Sequence, residues 1–387
     1  MTRIELPRAD GTRETFDMPP PMRWETARPG DTLPRKVLAA GHVVVDPLAD
    51  ISPMRDHAID FEATQRFRDH LWDHGLGIAE AMDTAQRGMG LDWQSAKTLI
   101  RNTVEAAKAR PGAVVYSGVG TEHLEPGDAT VDAVTRAYLE QLNYVQGIGG
   151  RVIMMASRAL ARAASSPRDY AGVYARVLGE ADQPVILHWL GDMFDPALAG
   201  YWGTNDVNDA MATCLDMIAA NARKIEGIKI SLLDKDLEIA MRRRLPAGVE
   251  MYTGDDFNYP ELIAGDDQGC SHALLGIFDP IAPIASAALK ALGDQGSERF
   301  REMMDPTVDL ARELFRAPTQ YYKTGVVFLA YLSGHQDHFT MLGAQQGARS
   351  ILHLARVFRY AATLGLFQDP EKAAARMRNV LSLHGIA

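Results

Sequence analysis

Short apolar runs alternate with amphipathic stretches along the chain from residue 35 onward. Each run contains β-branched or other apolar residues and ends in small or polar residues, as buried parallel strands do. Between the runs, apolar residues recur at helical spacing. The predicted strands cover residues 37–40, 77–81, 113–117, 151–155, 184–188, 225–231, 249–253 and 269–274, and the helices among them cover 61–74, 93–109, 130–144 and 207–224.

Eight strand–helix units in series predict a (β/α)8 TIM barrel. A doubly wound open sheet is the alternative, because it is built from the same units. That fold would place a glycine-rich phosphate loop after the first strand. The segment Gly41-His42-Val43-Val44 does not supply such a loop, so the pattern favours the barrel.

The two ends of the chain follow other patterns. Residues 3–6 and 12–16 flank the turn Ala9-Asp10-Gly11, which predicts a β-hairpin. After about residue 290 the strand pattern stops, and helices are predicted at 298–314, 324–331, 347–364 and 370–383. We therefore expect an N-terminal hairpin appendage (1–34), the barrel (35–295) and a C-terminal helical extension (296–387).

Composition narrows the class of protein. The chain has 387 residues and a formal net charge of −10 with both signs interspersed, which argues against nucleic-acid binding. No apolar stretch is long enough to span a membrane, and the N-terminus has no apolar leader segment. The two cysteines, Cys214 and Cys270, are expected to be reduced thiols. A cytoplasmic enzyme acting on a small molecule is the expectation.

Lys229 stands among isoleucines in the strand 225–231. Burial would lower the pKa of its amine, and a neutral amine can attack a carbonyl to form a Schiff base. The alternative is a structural ion pair with Asp234 or Asp236. Both interpretations remain open from this strand alone.

Other polar residues follow the predicted strands, and in this fold catalytic groups lie at the C-terminal strand ends. Thr84 and Arg87 are candidates for binding a carboxylate or phosphate, and His188 is a candidate general acid/base. Gly118 and Gly120 would let the backbone approach a ligand closely. Glu80 and Asp255 are further candidate binding residues. The structural alternatives are a Glu80–Arg87 pair, a core histidine at 188, and a turn at Asp255-Asp256.

His335 and His338 form a second polar cluster, in the C-terminal region. Their spacing predicts one helix face. Without a third ligand the metal signal is weak, and a structural or subunit-contact role is favoured.

Several segments, in order, resemble the dihydrodipicolinate synthase / N-acetylneuraminate lyase superfamily. The third strand, VVYSGVG (114–120), is similar to the family's "iaGvG", and PVILH (184–188) to its "PvilY". GIK (227–229) resembles the sixth strand "GiK", whose lysine forms the Schiff base, and TGDD (253–256) resembles "sGdD". The segments at 269–271 and 279–283 resemble the eighth strand and the loop after it. The likeness runs from about residue 35 to 383 and indicates a divergent branch.

Two departures concern the site. The family's fifth strand ends in a proton-relaying tyrosine, and here His188 takes that position. The family's "GTTGE" segment, which holds the α-keto-acid carboxylate, corresponds to Asp83-Thr84-Ala85-Gln86-Arg87, where one threonine remains. A bulkier or sugar-derived carbonyl substrate is therefore compatible with the resemblance.

The resemblance implies a lyase, an aldolase or dehydratase, in which Lys229 forms an imine, His188 moves the proton, and Thr84 and Arg87 bind the anionic end of the substrate. It implies no cofactor, and it implies a homo-oligomer. One alternative is a lyase or isomerase that uses a divalent metal held by Glu80, Asp83, His188 and Asp255. Another is a barrel that binds a ligand without turning it over.

Overall fold

The N-terminal hairpin is present in the computed structural model, which describes residues 2–125, 127 and 129–386. Strands β1 (Arg3–Pro7) and β2 (Arg13–Asp17) pair antiparallel. The carboxylate of Asp10 accepts hydrogen bonds from the backbone N–H and hydroxyl of Thr12 and so closes the turn. Phe16 packs edge-on against Phe358 at 6.2 Å between ring centroids, which joins the hairpin to the C-terminal helices.

Eight parallel strands form a closed barrel, which confirms the predicted fold class. Each strand pairs with its neighbours in chain order, and the last strand pairs with the first. The closure excludes the doubly wound open sheet. The barrel strands are β3 (Val37–Ala40), β4 (Gly77–Glu80), β5 (Val115–Val119), β6 (Arg151–Met155), β7 (Val185–Leu190), β8 (Ile225–Ser231), β9 (Glu250–Thr253) and β10 (His272–Leu275).

Helices surround the barrel in the order that the sequence predicts. Most begin at an aspartate, serine or threonine whose side chain accepts a backbone N–H of the first turn, as Asp60 does at the first helix. The barrel helices are α1 (Phe61–Asp73), α2 (Trp93–Lys108), α3 (Val131–Gly147), α4 (Arg158–Ala163), α5 (Pro167–Gly179), α6 (Val207–Ala220), α7 (Lys235–Arg242), α8 (Tyr259–Ala264) and α9 (Ala282–Asp294).

The C-terminal extension is helical, as predicted. The one helix expected at 298–314 is two, α10 (Ser297–Met304) and α11 (Val308–Leu314), separated by a 3-10 turn at Asp305–Thr307. The proline in that turn lacks the backbone N–H that a continuous helix needs. Three helices follow: α12 (Tyr322–Ser333), α13 (Ile351–Thr363) and α14 (Pro370–Leu383). The domain boundaries at 34/35 and 295/296 stay a prediction.

Helix α12 is buried on all sides, with eleven of its twelve residues inside the protein. It packs against α11, α13 and α14, and its N-terminal residue reaches the barrel mouth. Among the described residues, no helix combines the length and the apolar content that crossing a bilayer requires. Cys214 is buried and Cys270 partly buried, and both are free thiols.

Candidate active site at the barrel mouth

Lys229 lies inside the barrel on β8, in register with His188 on β7. Only 7% of the residue is exposed. Burial lowers the pKa of its amine, and the charges of Asp83 and Asp256 oppose that shift without a hydrogen bond to the amine. Asp234, the partner in the ion-pair interpretation, instead caps α7 by accepting two backbone N–H groups.

A small inner cavity surrounds the lysine. Its volume is about 10 Å³, which is roughly the space of one water molecule next to the amine. Within it, the hydroxyl of Thr84 lies 2.8 Å from the phenol oxygen of Tyr322. The lining consists of Ala40, Met82, Asp83, Thr84, Leu190, Phe194, Lys229, Ser231, Asp256, Gly276 and Tyr322.

A wider mouth cavity adjoins the inner one, and Asp83 and Leu190 line both. His188 also lines this outer cavity. Its Nδ1 lies 4.0 Å from Asp83 Oδ2, and its Nε2 lies 3.3 Å from the hydroxyl of Ser231. Burial and the charge of Lys229 hold the pKa of His188 well below its ordinary value. The imidazole is therefore neutral at pH 7.

The aspartate that faces the lysine is Asp256, whereas the sequence singled out Asp255. Asp255 accepts two backbone N–H groups and a side-chain amide in the turn before α8. It is thus a structural turn residue. Asp256 lines the inner cavity and accepts a hydrogen bond of 3.0 Å from the backbone N–H of Ile277. Burial raises the pKa of Asp256 to about 7, against the opposing charge of Lys229.

Glu80 lies outside the barrel interior, and its expected role in substrate binding has no geometric support. Strand alternation turns its side chain toward the helices, where Arg68 donates two hydrogen bonds of 2.7 and 2.9 Å. Thr103 and the backbone N–H of Ala81 donate two more. Both oxygens are occupied, and Arg68 is the partner instead of Arg87.

Arg87 anchors the loop after β4. Its guanidinium donates to the carbonyl oxygens of Ala81 and Gly118, to the amide oxygen of Gln141 and to the carboxylate of Glu122. These four bonds use all three guanidinium nitrogens. Arg87 borders the mouth cavity, but binding a carboxylate would require it to exchange one of these partners.

Gly118 on β5 and Gly120 in the loop after it differ in whether a ligand can reach them. A Cβ at Gly118 would lie 2.8 Å from the carbonyl oxygen of Ala81, so this glycine serves barrel packing. Gly120 lines the mouth cavity, and its backbone N–H donates a hydrogen bond of 2.6 Å to the amide oxygen of Gln141. Only Gly120 lies where a ligand can approach.

The four residues suggested as metal ligands do not converge. Glu80 and Asp255 are engaged elsewhere, and only Asp83 and His188 approach each other. In the part of the chain that is described, no group of three or more His, Cys, Asp or Glu residues is placed to hold a metal ion.

His335 and His338 do not share a helix face, because α12 ends at Ser333 with Gly334 in the left-handed conformation. The His335 ring packs against Phe67 at 5.2 Å and His70 at 4.3 Å between centroids. This places His335 in a structural contact between the C-terminal extension and α1.

Sequence reasoning did not single out Tyr322, Ser231 or Asp256, which all line the cavity beside Lys229. Ser231 belongs to the same strand face as Lys229, two positions on, and strand periodicity alone could have identified it. For Tyr322 the available signal is weaker: Tyr322, Lys323 and Thr324 are polar residues at the start of a largely apolar helix.

Solved structures share this fold at low sequence identity. A putative dihydrodipicolinate synthetase from Pseudomonas aeruginosa superposes with a TM-score of 0.61 at 17% identity, covering 83% of this chain and 99% of that one. YagE from E. coli K12, a prophage protein of the dihydrodipicolinic acid synthase family solved with pyruvate, gives 0.64 at 13%, covering 92% and 100%. CdNal from Clostridium difficile, solved with mannosamine, gives 0.59 at 14%, covering 90% and 99%.

These similarities confirm, for the fold, the superfamily resemblance that the sequence segments indicated. None of the curated proteins is similar enough in sequence to match. Residues 4–386 match the family described as "Protein of unknown function (DUF993)", which covers nearly the whole length. The chain therefore belongs to the DUF993 family and is built on the barrel fold of dihydrodipicolinate synthases.

Proposed function

We propose that this protein is an aldolase-type lyase that binds a small carbonyl compound as an imine on Lys229. One observation carries the proposal. A lysine with a lowered pKa, which has no hydrogen-bond partner among the described residues, faces a cavity at the C-terminal mouth of a closed barrel. A lowered pKa increases the fraction of the amine that is neutral, and the neutral amine has the lone pair that attacks a carbonyl. The iminium ion then withdraws electrons from the bond that breaks.

The substrate class in this proposal is a keto acid or a sugar-derived carbonyl compound. Two proteins of the same fold were solved with pyruvate and with mannosamine, which supports small oxygenated ligands for this chain. The inner cavity has space for about one water-sized group beside the amine, so the carbonyl oxygen would enter it while the rest of the substrate stays in the mouth. The wider mouth, with the hydroxyls of Thr121 and Ser157 and the guanidinium of Arg158, would hold the part of the substrate that leaves.

His188 is the proposed base at the mouth. Being neutral, it can accept the proton of the hydroxyl from which the carbonyl of the leaving fragment forms. Asp83, 4.0 Å away, would stabilise the resulting imidazolium. Thr84 is engaged by Tyr322 and Arg87 by loop contacts, so an anionic end must displace one of these contacts or bind elsewhere in the mouth.

Reductive trapping tests the imine. The protein is incubated with pyruvate, 2-oxobutyrate and dihydroxyacetone, reduced with borohydride, and digested for peptide mass spectrometry. A reduced adduct on Lys229 is expected, and it should disappear in K229M. The matched control is K235M, because Lys235 is partly exposed and paired with Glu261.

The pH dependence separates a specific adduct from a random one. Burial lowers the pKa of Lys229, whereas hydrogen bonding to Glu261 raises that of Lys235. Trapping at Lys229 should therefore set in at lower pH than trapping at Lys235. Absence of any Lys229 adduct across the panel would refute the proposal. Ligand binding without an adduct would then favour a non-catalytic barrel, and turnover that a chelator abolishes would favour a metal-dependent lyase.

A further inference from the structure

Tyr322 brings a phenol from the C-terminal extension into the inner cavity. It is the first residue of α12, far in sequence from the barrel strands, and only 4% of it is exposed. It shares the cavity lining with Lys229. The extension therefore contributes a functional group to the interior of the barrel in addition to packing on it.

Several contacts fix the orientation of this phenol. Its ring stacks on Phe315 at 4.3 Å between centroids and 15° between planes. The hydroxyl lies 2.8 Å from that of Thr84. At Gly276 a side chain would crowd this arrangement, because a Cβ would lie 3.1 Å from the Tyr322 ring and 3.2 Å from the Thr84 hydroxyl. The phenol is thus held in one geometry before any ligand enters.

We propose that Tyr322 is the proton donor that completes imine formation on Lys229. The inference rests on the proposed function and assigns one of its steps. When the amine has added to the carbonyl, the adduct carries a hydroxyl on the carbon bonded to nitrogen. The phenol gives its proton to that hydroxyl, the C–O bond breaks, and water leaves. The nitrogen lone pair becomes the second C=N bond, which leaves an iminium ion beside a phenolate.

In the reverse step, water attacks the iminium carbon and the phenolate takes back a proton, so atoms and charge balance in both directions. Burial and the neighbouring carboxylates of Asp83 and Asp256 hold the pKa of Tyr322 well above its ordinary value. The phenol is therefore fully protonated before the step. The cost of forming a phenolate is offset because the iminium charge appears in the same cavity.

Two other groups are less well placed for this proton. His188 lies in the lining of the mouth cavity, and it is neutral at pH 7. Asp256 lies in the inner cavity, but a pKa of about 7 leaves its carboxyl partly ionised at pH 7, and its Oδ1 accepts the backbone N–H of Ile277. The two residues therefore transfer different protons. Tyr322 donates a proton in the inner cavity during imine formation, and His188 accepts a proton in the mouth cavity during bond cleavage.

The test is the rate of adduct formation on Lys229 in Y322F, with cyanoborohydride as the trap and pyruvate, 2-oxobutyrate and dihydroxyacetone as probes. Phenylalanine keeps the stacking on Phe315 and removes only the hydroxyl. The control is Y321F, at the adjacent, partly exposed tyrosine. Loss of a general acid lowers a rate by about 100-fold or more, so Y322F should trap about 100-fold more slowly at saturation. Its half-saturating probe concentration should stay within about threefold of wild type.

The other variants keep the inference falsifiable. Y321F should trap at the wild-type rate, because Tyr321 lines neither the inner cavity nor the mouth cavity. Trapping by Y322F at the wild-type rate would overturn the inference while leaving the imine proposal intact, and so would a loss confined to D256N. If wild-type protein forms no Lys229 adduct with any probe, both proposals fail together. A rise in half-saturating concentration without a change in maximal rate would assign Tyr322 to binding and overturn its role as proton donor.

Discussion

Replacing Glu80 by glutamine would leave the guanidinium of Arg68 buried without its counter-charge. Both side chains are fully buried, at 0% exposure. Arg68 also donates to the carbonyl oxygens of His42 and Gly41, which carry no full charge. Glutamine has nearly the volume of glutamate, so the substitution opens no cavity. The change in stability therefore measures the electrostatic and hydrogen-bond loss.

The magnitude follows from this geometry. Glu80 accepts four hydrogen bonds of 2.6 to 2.9 Å, two of them from Arg68. Removing one partner of a buried ion pair costs about 3–5 kcal/mol, because the other charge stays desolvated. We expect E80Q to lower the free energy of unfolding by about that amount. The double variant R68M/E80Q should be less destabilised than the sum of the single variants, since no charge is then left buried.

The assay is urea unfolding, followed by tryptophan fluorescence and by circular dichroism. Coincident transitions are the condition for converting midpoints into free energies. E62Q is the matched control, because Glu62 pairs with Arg66 on the exposed side of α1 at 89% and 59% exposure. It should unfold close to the wild-type midpoint. The rate of Lys229 trapping should be unchanged in folded E80Q.

A stable E80Q variant that no longer forms the Lys229 adduct would support the substrate-binding role of Glu80 that the sequence suggested. If E80Q unfolds within about 1 kcal/mol of wild type, a buried, fully engaged pair would not be present. If it also loses Lys229 trapping while still folded, Glu80 would belong to the substrate site. A double variant as unstable as the sum of the singles would refute direct coupling between Glu80 and Arg68.

Burial lowers the pKa of His70 to about 2 and that of His335 to about 4, whereas unfolded histidines bind protons below about pH 6.5. The free energy of unfolding should therefore fall as the pH drops from 6.5 toward 4. The slope should be at most about 1.4 kcal/mol per pH unit for each histidine. Urea unfolding at several pH values checks this, H335Q should reduce the slope, and a stability independent of pH would contradict it. G276A should slow trapping on Lys229, because the added methyl group crowds Tyr322. G172A, where a Cβ would meet nothing within 4 Å, should not, and equal rates in both would refute the crowding argument.

The order of strands and helices could be predicted because each barrel strand is a short apolar run and each helix an amphipathic one, and both periodicities are local. The predicted bounds of the barrel strands agree with the structure to within a few residues. The division of the helix predicted at 298–314 was missed, although Pro306 marks it. The lysine at position 229 could be singled out because a charged residue inside an apolar strand is exceptional.

The sequence by itself determined the closed barrel and a buried lysine on its sixth strand, because both depend on local patterns repeated in order. The tertiary structure alone decided that Glu80 faces Arg68, that Asp256 faces the lysine in place of Asp255, and that Tyr322 enters the cavity. Adjacent residues of a strand point to opposite faces of the sheet. A prediction that is wrong by one position therefore assigns to the barrel interior a side chain that packs against the surrounding helices. The contact between Tyr322 and Thr84 joins residues far apart in the chain. Such a contact depends on how the C-terminal helices dock, and no local periodicity encodes that docking.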